Sequence, residues 1–413
     1  MAKAKKVTDV TSDADNIVSF TDELIKALNK EHGDGGKVAY NLLKDDAPTK
    51  VHRWISTGCR QLDYIIANRP NGGLPEGRII EIFGPPGLGK SHIAAQIAKN
   101  TQQMGGIVCY IDSENASSPE NLQLLGVNIG ERFIYCEATC TENVFALAES
   151  VILKTRSLKK DVPVTIIWDS VAATSPKAEI LGDYDKDSIG LQARALSKGF
   201  RKITQVVGSN RVTFVCCNQT RTAIGVMYGD NQVPSGGKSI PFHASVRIKL
   251  GAGKPIENAK GETIGINVNA KTIKNKVSPP FRKCEFQIHF GVGIKEHEEL
   301  FDVLRPLDPT RIVMKGRELE ASVDGTGGWK TFVVTDPSTG EVIVEKKFTK
   351  QKFEEVLEDP EYKPYLDALI ETHMVRKMTE QAHVEIDDDS YVEMKSIADD
   401  VEDILGDVSP EVA

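Results

Sequence analysis

The chain has 413 residues, 40% apolar and 27% charged, which is ordinary for a soluble globular protein of two or three domains. No run of about 18 apolar residues occurs, so no membrane span is expected, and the basic start Met1-Ala2-Lys3-Ala4-Lys5-Lys6 lacks the apolar stretch of a secretory signal. The net charge of −8 argues only weakly against a nucleic-acid partner, because the charge is uneven along the chain.

Residues 1–15 are polar. Residues 16–31 place Phe20, Leu24 and Leu28 at i, i+4 and i+8, one apolar stripe of a short helix. Glycines 33, 35 and 36 end it, and Val38–Leu43 reads as a strand. This helix and strand have too little core to stand alone and must pack on something else.

From about 55 to 300 the pattern alternates strand and helix, the signature of a parallel sheet covered on both faces. Strands are expected at 79–83, 107–111, 133–136, 163–168, 212–217, 244–250, 264–274 and 284–290, and helices at 91–104, 141–157 and 190–208. The later strands lack long helices between them, so the sheet is expected to finish antiparallel.

The first of these strands leads into Gly84-Pro85-Pro86-Gly87-Leu88-Gly89-Lys90-Ser91, which fits G-x-x-x-x-G-K-[ST]. Glycines let backbone N–H groups curl around phosphates, and the following helix points its positive end at the same anion. Lys90 can reach the outer phosphates, and the Ser91 hydroxyl can hold Mg²⁺. An ordinary glycine turn is the alternative, and the strand before and helix after speak against it.

Further strand ends carry polar groups. Ile107–Asn115 ends in Asp112-Ser113-Glu114, where Glu114 could polarise a water attacking the γ-phosphate, or be a plain surface carboxylate. Cys136 and Cys140 resemble half a metal site, but no second pair with matching spacing lies nearby. All seven cysteines are expected as reduced, mostly buried thiols. Val164–Asp169 is an apolar strand closing on a carboxylate, which suits a second Mg²⁺ ligand beside a phosphate loop. Arg194, Lys198, Arg201 and Lys202 recur at helical spacing, a basic face in an acidic protein or simply a solvated one.

Val212–Cys217 runs into Asn218-Gln219, where Gln219 could hydrogen-bond a γ-phosphate or be an ordinary amide. A long loop over 220–240 follows, mixing Arg221 and Lys238 with Met227 and Tyr228. Cations beside apolar groups suit single-stranded nucleic acid, and a surface loop explains the composition equally well. Lys271, Lys274 and Lys276 make a second basic cluster on a strand. Residues 329–347 read as a hairpin around Pro337-Ser338-Thr339-Gly340, 350–378 as helical, and the stretch after 386 as an acidic, disordered tail.

Taken together, the ordered series resembles the RecA family of ATP-dependent DNA strand-exchange proteins. It runs from about Ile55 to Asp302 and includes Gly73–Arg78 before the phosphate loop, Asp112-Ser113-Glu114, Asp169–Ala173, Pro176–Ile180, Asn218-Gln219 with Ile224–Gly229, Gly236-Gly237, Ala244–Arg247, Lys274-Asn275-Lys276 and Gly291–Ile294.

The resemblance implies a RecA-type α/β core at 51–305 with a mostly parallel sheet. A polymerisation arm at 1–50, an α+β C-terminal region at 306–385 and an acidic tail at 386–413 would complete the chain. It implies ATP and Mg²⁺ as cofactors, held by the phosphate loop, Ser91 and Asp169. Glu114 would be the catalytic carboxylate and Gln219 the γ-phosphate sensor leading into a second DNA loop, about 220–237. Residues 181–190 would be the first DNA loop, with Ile189 wedging between bases. Arg194 and Arg201 would contact phosphates, as would Arg221, with Met227, Tyr228, Gly236 and Gly237 in the second loop. Lys274 and Lys276 would reach the neighbouring subunit's ATP.

Partners implied are single- and double-stranded DNA, a homo-oligomeric filament, and loader and single-strand-binding proteins, in the cytoplasm of a bacterial host. Two positions depart from the family: Asn121 stands where an aromatic often stacks on adenine, and Ala223 where a basic residue is common. Gly328-Trp329, the turn at 339–341 and the tail are similar to phage recombinases of the UvsX type. The implied activity is a DNA-dependent ATPase that pairs and exchanges homologous strands; a RecA-fold hexameric helicase is the alternative.

Overall fold

The computed structural model describes residues 11–33, 36–158, 161–182, 190–222, 232–295, 297, 300–301, 304, 307–325 and 328–375. The chain divides into two compact units, Met1–His52 and Arg53–Ala413. In the first, helix α1 (Thr11–His32) presents Phe20, Leu24 and Leu28 as an exposed stripe. The strand expected at Val38–Leu43 does not form. Asn29 takes its place as partner: its Oδ1 accepts the N–H groups of Val38 and Ala39 at 2.7 and 2.8 Å, and its Nδ2 donates to the Ala39 carbonyl at 2.9 Å. These backbone groups are satisfied by a side chain instead of a neighbouring strand.

The second unit is built on one large sheet. Its strands are β1 (Trp54–Ile55), β2 (Leu74–Pro75), β3 (Ile79–Gly84), β4 (Ile107–Asp112), β5 (Phe133–Glu137), β6 (Val164–Asp169), β7 (Val212–Thr222), β8 (Gln232–Pro234), β9 (Val246–Glu257), β10 (Thr263–Asn275), β11 (Lys283–His289) and β12 (Gly293–Lys295). Helices α2 (Arg60–Ala67), α3 (Lys90–Gln103), α4 (Pro119–Leu124), α5 (Thr141–Leu158), α6 (Lys177–Ile180), α7 (Leu191–Ser209) and α8 (Ser239–His243) alternate with them. The order is β12-β11-β10-β9-β3-β7-β6-β4-β5, with β8 paired to β7 and β1 to β2 apart. The run from β5 to β9 is parallel, and β9 to β12 is antiparallel, as the sequence leads one to expect.

The central strands are buried on both faces, which is why they read as unbroken apolar runs. Ile80, Ile82, Tyr110 and Val215 face α2 and α3 on one side. Ile79, Ile111, Trp168 and Phe214 face α5 and α7 on the other. Helix α7 buries Leu196, Phe200, Ile203 and Val207 and leaves Arg194, Lys198, Arg201 and Lys202 exposed. None of the seven cysteines forms a disulfide, five of them are buried, and Cys136 lies 3.8 Å from Cys109 across β4 and β5.

The C-terminal part is a four-stranded antiparallel sheet, β13 (Leu307–Met314), β14 (Arg317–Asp324), β15 (Trp329–Thr335) and β16 (Val342–Thr349). Two short helices follow within the stretch that reads as helical, α9 (Phe353–Glu358) and α10 (Lys363–Met374), and Asp359-Pro360 separates them. The hairpin β15–β16 forms as expected, and β13–β14 extends it. Tyr64 of α2 joins this second core, and Arg282 donates to the Met374 carbonyl at 2.7 Å. Among the described residues no helix is long and apolar enough to cross a membrane.

Candidate active site

The phosphate loop leaves the buried end of β3. Gly84 has φ +156°, and a Cβ there would stand 2.4 Å from the Leu250 carbonyl; Gly89 has φ +75°, and its Cβ would strike Ile288 at 2.2 Å. Neither position tolerates a side chain. Leu88 anchors the loop in the core, while Gly87 has open space around it. Pro85 and Pro86 offer no N–H, so the backbone donors to an anion come from Gly87, Leu88 and Gly89 and from Lys90 and Ser91 at the start of α3. Lys90 Nζ donates to the carbonyls of Gly84 and Pro85 at 2.9 and 2.7 Å. Burial lowers its pKa, opposed by Cys217, Asp169 and Glu114.

Two neighbouring strand ends bring carboxylates to this loop. Asp169 closes β6, and burial raises its pKa, opposed by hydrogen bonds from Ser91 and Tyr110. Tyr110 OH donates to Asp169 Oδ2 at 2.8 Å. Hard oxygen ligands from Ser91 and Asp169, close enough to hydrogen-bond each other, fit Mg²⁺ beside a triphosphate. Glu114 follows β4 on a turn held by buried Asp112, which accepts the N–H groups of Glu114 at 3.0 Å and Ser117 at 2.9 Å. Glu114 Oε1 accepts from Gln219 Nε2 at 2.8 Å and from the Ser170 hydroxyl.

Gln219 lies near the end of β7, beside β3 in register with Gly84. Its neighbour Asn218 donates to Glu81 Oε1 and to the Ser235 carbonyl, both at 2.9 Å. Arg247 Nε closes the buried network on Glu81 Oε2 at 2.6 Å. The segment expected as an open loop is therefore paired at its base: Thr220, Arg221 and Thr222 on β7 match Pro234, Val233 and Gln232 on β8. Gly236 returns against α7, where a Cβ would meet Leu196 at 2.4 Å, and Gly237 lies against Ala193. Arg194, Arg201 and Arg221 are exposed. Ile189, Ala223, Met227 and Tyr228 lie outside the described residues.

A cleft of about 310 Å³ opens beside the phosphate loop, lined by Ser91, His92, Glu114, Asn121, Asp169 and Phe290 among others. Asn121 thus sits at the cleft, and Phe290, on the turn after β11, is an exposed aromatic on its wall. Phe290 and Tyr110 are not singled out by the sequence reading, and Asn218 is named there without a role. The signal for Tyr110 was a hydroxyl-bearing residue two places before Asp112, on the same face of the strand.

Lys274 and Lys276 are not brought to this cleft. Lys274 is in register with Arg247, itself beside Glu81 near the start of β3, two strands away. About 10 Å of strand separates that level from Gly84, and a further ~10 Å separates the strands laterally. Lys274 Nζ donates instead to the Pro241 and Phe242 carbonyls at 2.5 and 3.0 Å.

A phosphate loop, a carboxylate strand end beside it and a carboxylate–amide pair over the same cleft define a P-loop ATPase. The RecA N-terminal domain family matches residues 20–295, and the chain belongs to the RecA family of recombinases. It is similar to Protein RecA of Treponema denticola, 36% identical over 302 residues, 73% of this chain and 70% of that protein. Protein RecA of Ruminococcus albus is 38% identical over 318 residues, 76% of this chain and 75% of that one. Protein RecA of Clostridioides difficile is 34% identical over 335 residues, 80% and 88% of the two chains.

Proposed function

We propose that the chain is a DNA-dependent ATPase that forms filaments on single-stranded DNA and carries out homologous pairing and strand exchange. The observation that carries the reading is the position of Gln219. It touches Glu114 over the phosphate loop, and the adjacent Asn218 holds Ser235 at the far end of the 220–237 segment. A change at the γ-phosphate is thereby one residue away from both ends of the DNA-facing segment.

In this reading the phosphate loop and Lys90 bind the triphosphate, and Ser91 and Asp169 hold Mg²⁺, which neutralises charge on the phosphates. Glu114 orients and deprotonates the attacking water, and Gln219 senses the γ-phosphate. Arg194 and Arg201 on α7, Arg221 on β7 and Gly236-Gly237 beside α7 contact DNA, together with Ile189, Met227 and Tyr228 of the two DNA loops. Lys274 and Lys276 act on the neighbouring subunit's ATP, which their distance from their own cleft supports. The exposed stripe of α1 serves subunit packing. The protein works in the cytoplasm, with loader and single-strand-binding proteins as partners.

Glu114→Gln tests the scheme. It keeps an oxygen for Ser170 and Gln219 but removes the base, so turnover should fall at least a hundredfold while ATP-dependent DNA binding persists. Loss of DNA binding in this variant, or closed rings instead of helical filaments on single-stranded DNA by negative stain, would overturn it.

A further inference from the structure

We propose that Tyr110 is a positioning residue for the divalent cation: its hydroxyl fixes the Asp169 carboxylate in one orientation beside Ser91 and the nucleotide. The inference rests on the nucleotide reading above.

Tyr110 sits in the middle of β4 with no exposed surface, among Ile80, Ile82, Val108, Ile167 and Val215. Its ring packs 6.0 Å from that of Phe133. A phenylalanine would fill the same space, so packing does not account for the hydroxyl. A buried phenol needs an acceptor, and the acceptor here is Asp169 Oδ2, at 2.8 Å. The oxygen of Tyr110 also meets the Ser117 side chain. Ser117 is tied by its N–H to Asp112 Oδ2, in the turn that presents Glu114. Ser117, Tyr110 and Asp169 therefore form a short chain from the turn of the water-activating carboxylate to the cation's carboxylate. Asp169 accepts hydrogen bonds from both Tyr110, on Oδ2, and Ser91. A carboxylate steered on one oxygen presents the other in a single orientation, which a cation site requires.

The test is Tyr110→Phe, read by binding of a fluorescent ADP analogue across a Mg²⁺ titration and again in EDTA. Hydrogen-bond partners of metal ligands commonly shift metal affinity 10- to 100-fold. The expected result is a half-saturating Mg²⁺ concentration raised about tenfold, with the EDTA affinity changed less than twofold. Mn²⁺ binding followed by electron paramagnetic resonance should weaken alike, and the effect should vanish in an Asp169→Asn background. An unchanged Mg²⁺ midpoint overturns the inference, as does an equal loss of binding with and without metal, which would mark a purely structural hydroxyl. If the unsubstituted protein shows no Mg²⁺-dependent nucleotide binding, the nucleotide reading itself fails, a separately visible outcome.

Discussion

Lys274 gives the ATP-site reading a pH test. Burial first, then the nearby charges of Lys276 and Arg247, push its pKa down from 10.5 to about 8, with Glu81 opposing. At that value the ammonium is about nine-tenths charged at pH 7, half at pH 8 and one-tenth at pH 9. The folded pKa lies below the unfolded one, so the stability cost of the buried charge is full below about pH 8. It is relieved as pH climbs towards 10.5. The fold gains from this group over that window, while a contact to a neighbour's phosphate, which needs the charged form, is lost. If assembly selects the charged lysine, its apparent affinity should fall about tenfold between pH 7 and pH 9. Phosphate binding would raise the pKa again, so assembly should take up as much as one proton per subunit in this window. The assay is light scattering of assembly on single-stranded DNA with a slowly hydrolysed ATP analogue, at pH 7 to 9.5, for the natural chain and Lys274→Met. The variant should assemble weakly at pH 7 and show a flat profile. Equal slopes for the two proteins, or a flat profile for the natural chain, would refute a charged Lys274 in the shared site.

Two other substitutions probe the cleft and its support. Phe290→Ala should weaken ATP and ADP binding by about 1–3 kcal/mol, the usual worth of stacking a base on an aromatic ring, and leave inorganic triphosphate unaffected; equal losses by calorimetry would remove Phe290 from base recognition. Arg247→Met leaves the fully buried Glu81 carboxylate with Asn218 as its remaining donor shown here, and should cost about 3–5 kcal/mol in urea unfolding. Adding Glu81→Gln should recover most of that loss, and a single-variant cost under about 1 kcal/mol would show that the pair is not an isolated buried charge pair.

The central strands were legible because burial on both faces leaves an apolar run, and the phosphate loop because its glycines are sterically required. β13 and β14 went unread although Leu319, Ala321 and Val323 alternate with polar residues. The turn between them, Lys315-Gly316, has positive φ at both residues, the signature of a tight hairpin. Val38–Leu43 misled in the opposite direction: strand propensity describes a side chain's fit to a sheet, and within its unit Asn29 supplies the hydrogen bonds. Polar residues at the strand ends were readable from the sequence, but their contacts were not. Nothing in the spacing of Glu114 and Gln219, 105 positions apart, says that they touch. Long-range partners follow from strand order, and the order β3-β7-β6-β4 is set by the crossovers, not by any one strand's sequence.

That order bears on the proposal that the ATP site is shared between subunits. In a parallel sheet every strand ends on the same edge, so Gly84, Asp169 and Gln219 gather there with Asp112 and Glu114. β10 runs antiparallel, and its end carries Lys274 to the opposite edge, beside α8. A lysine that serves a phosphate from that edge must serve another chain's phosphate. The two faces brought together are then different surfaces of the same protein, a heterologous contact that repeats head to tail and closes into a ring or extends into a helix. Which of the two forms is set by the rotation between neighbours. If the proposed lysines neutralise a neighbour's phosphates, ATP binding and assembly become one equilibrium in either form: the lysines raise the neighbour's ATP affinity, and bound ATP raises subunit affinity by the same factor.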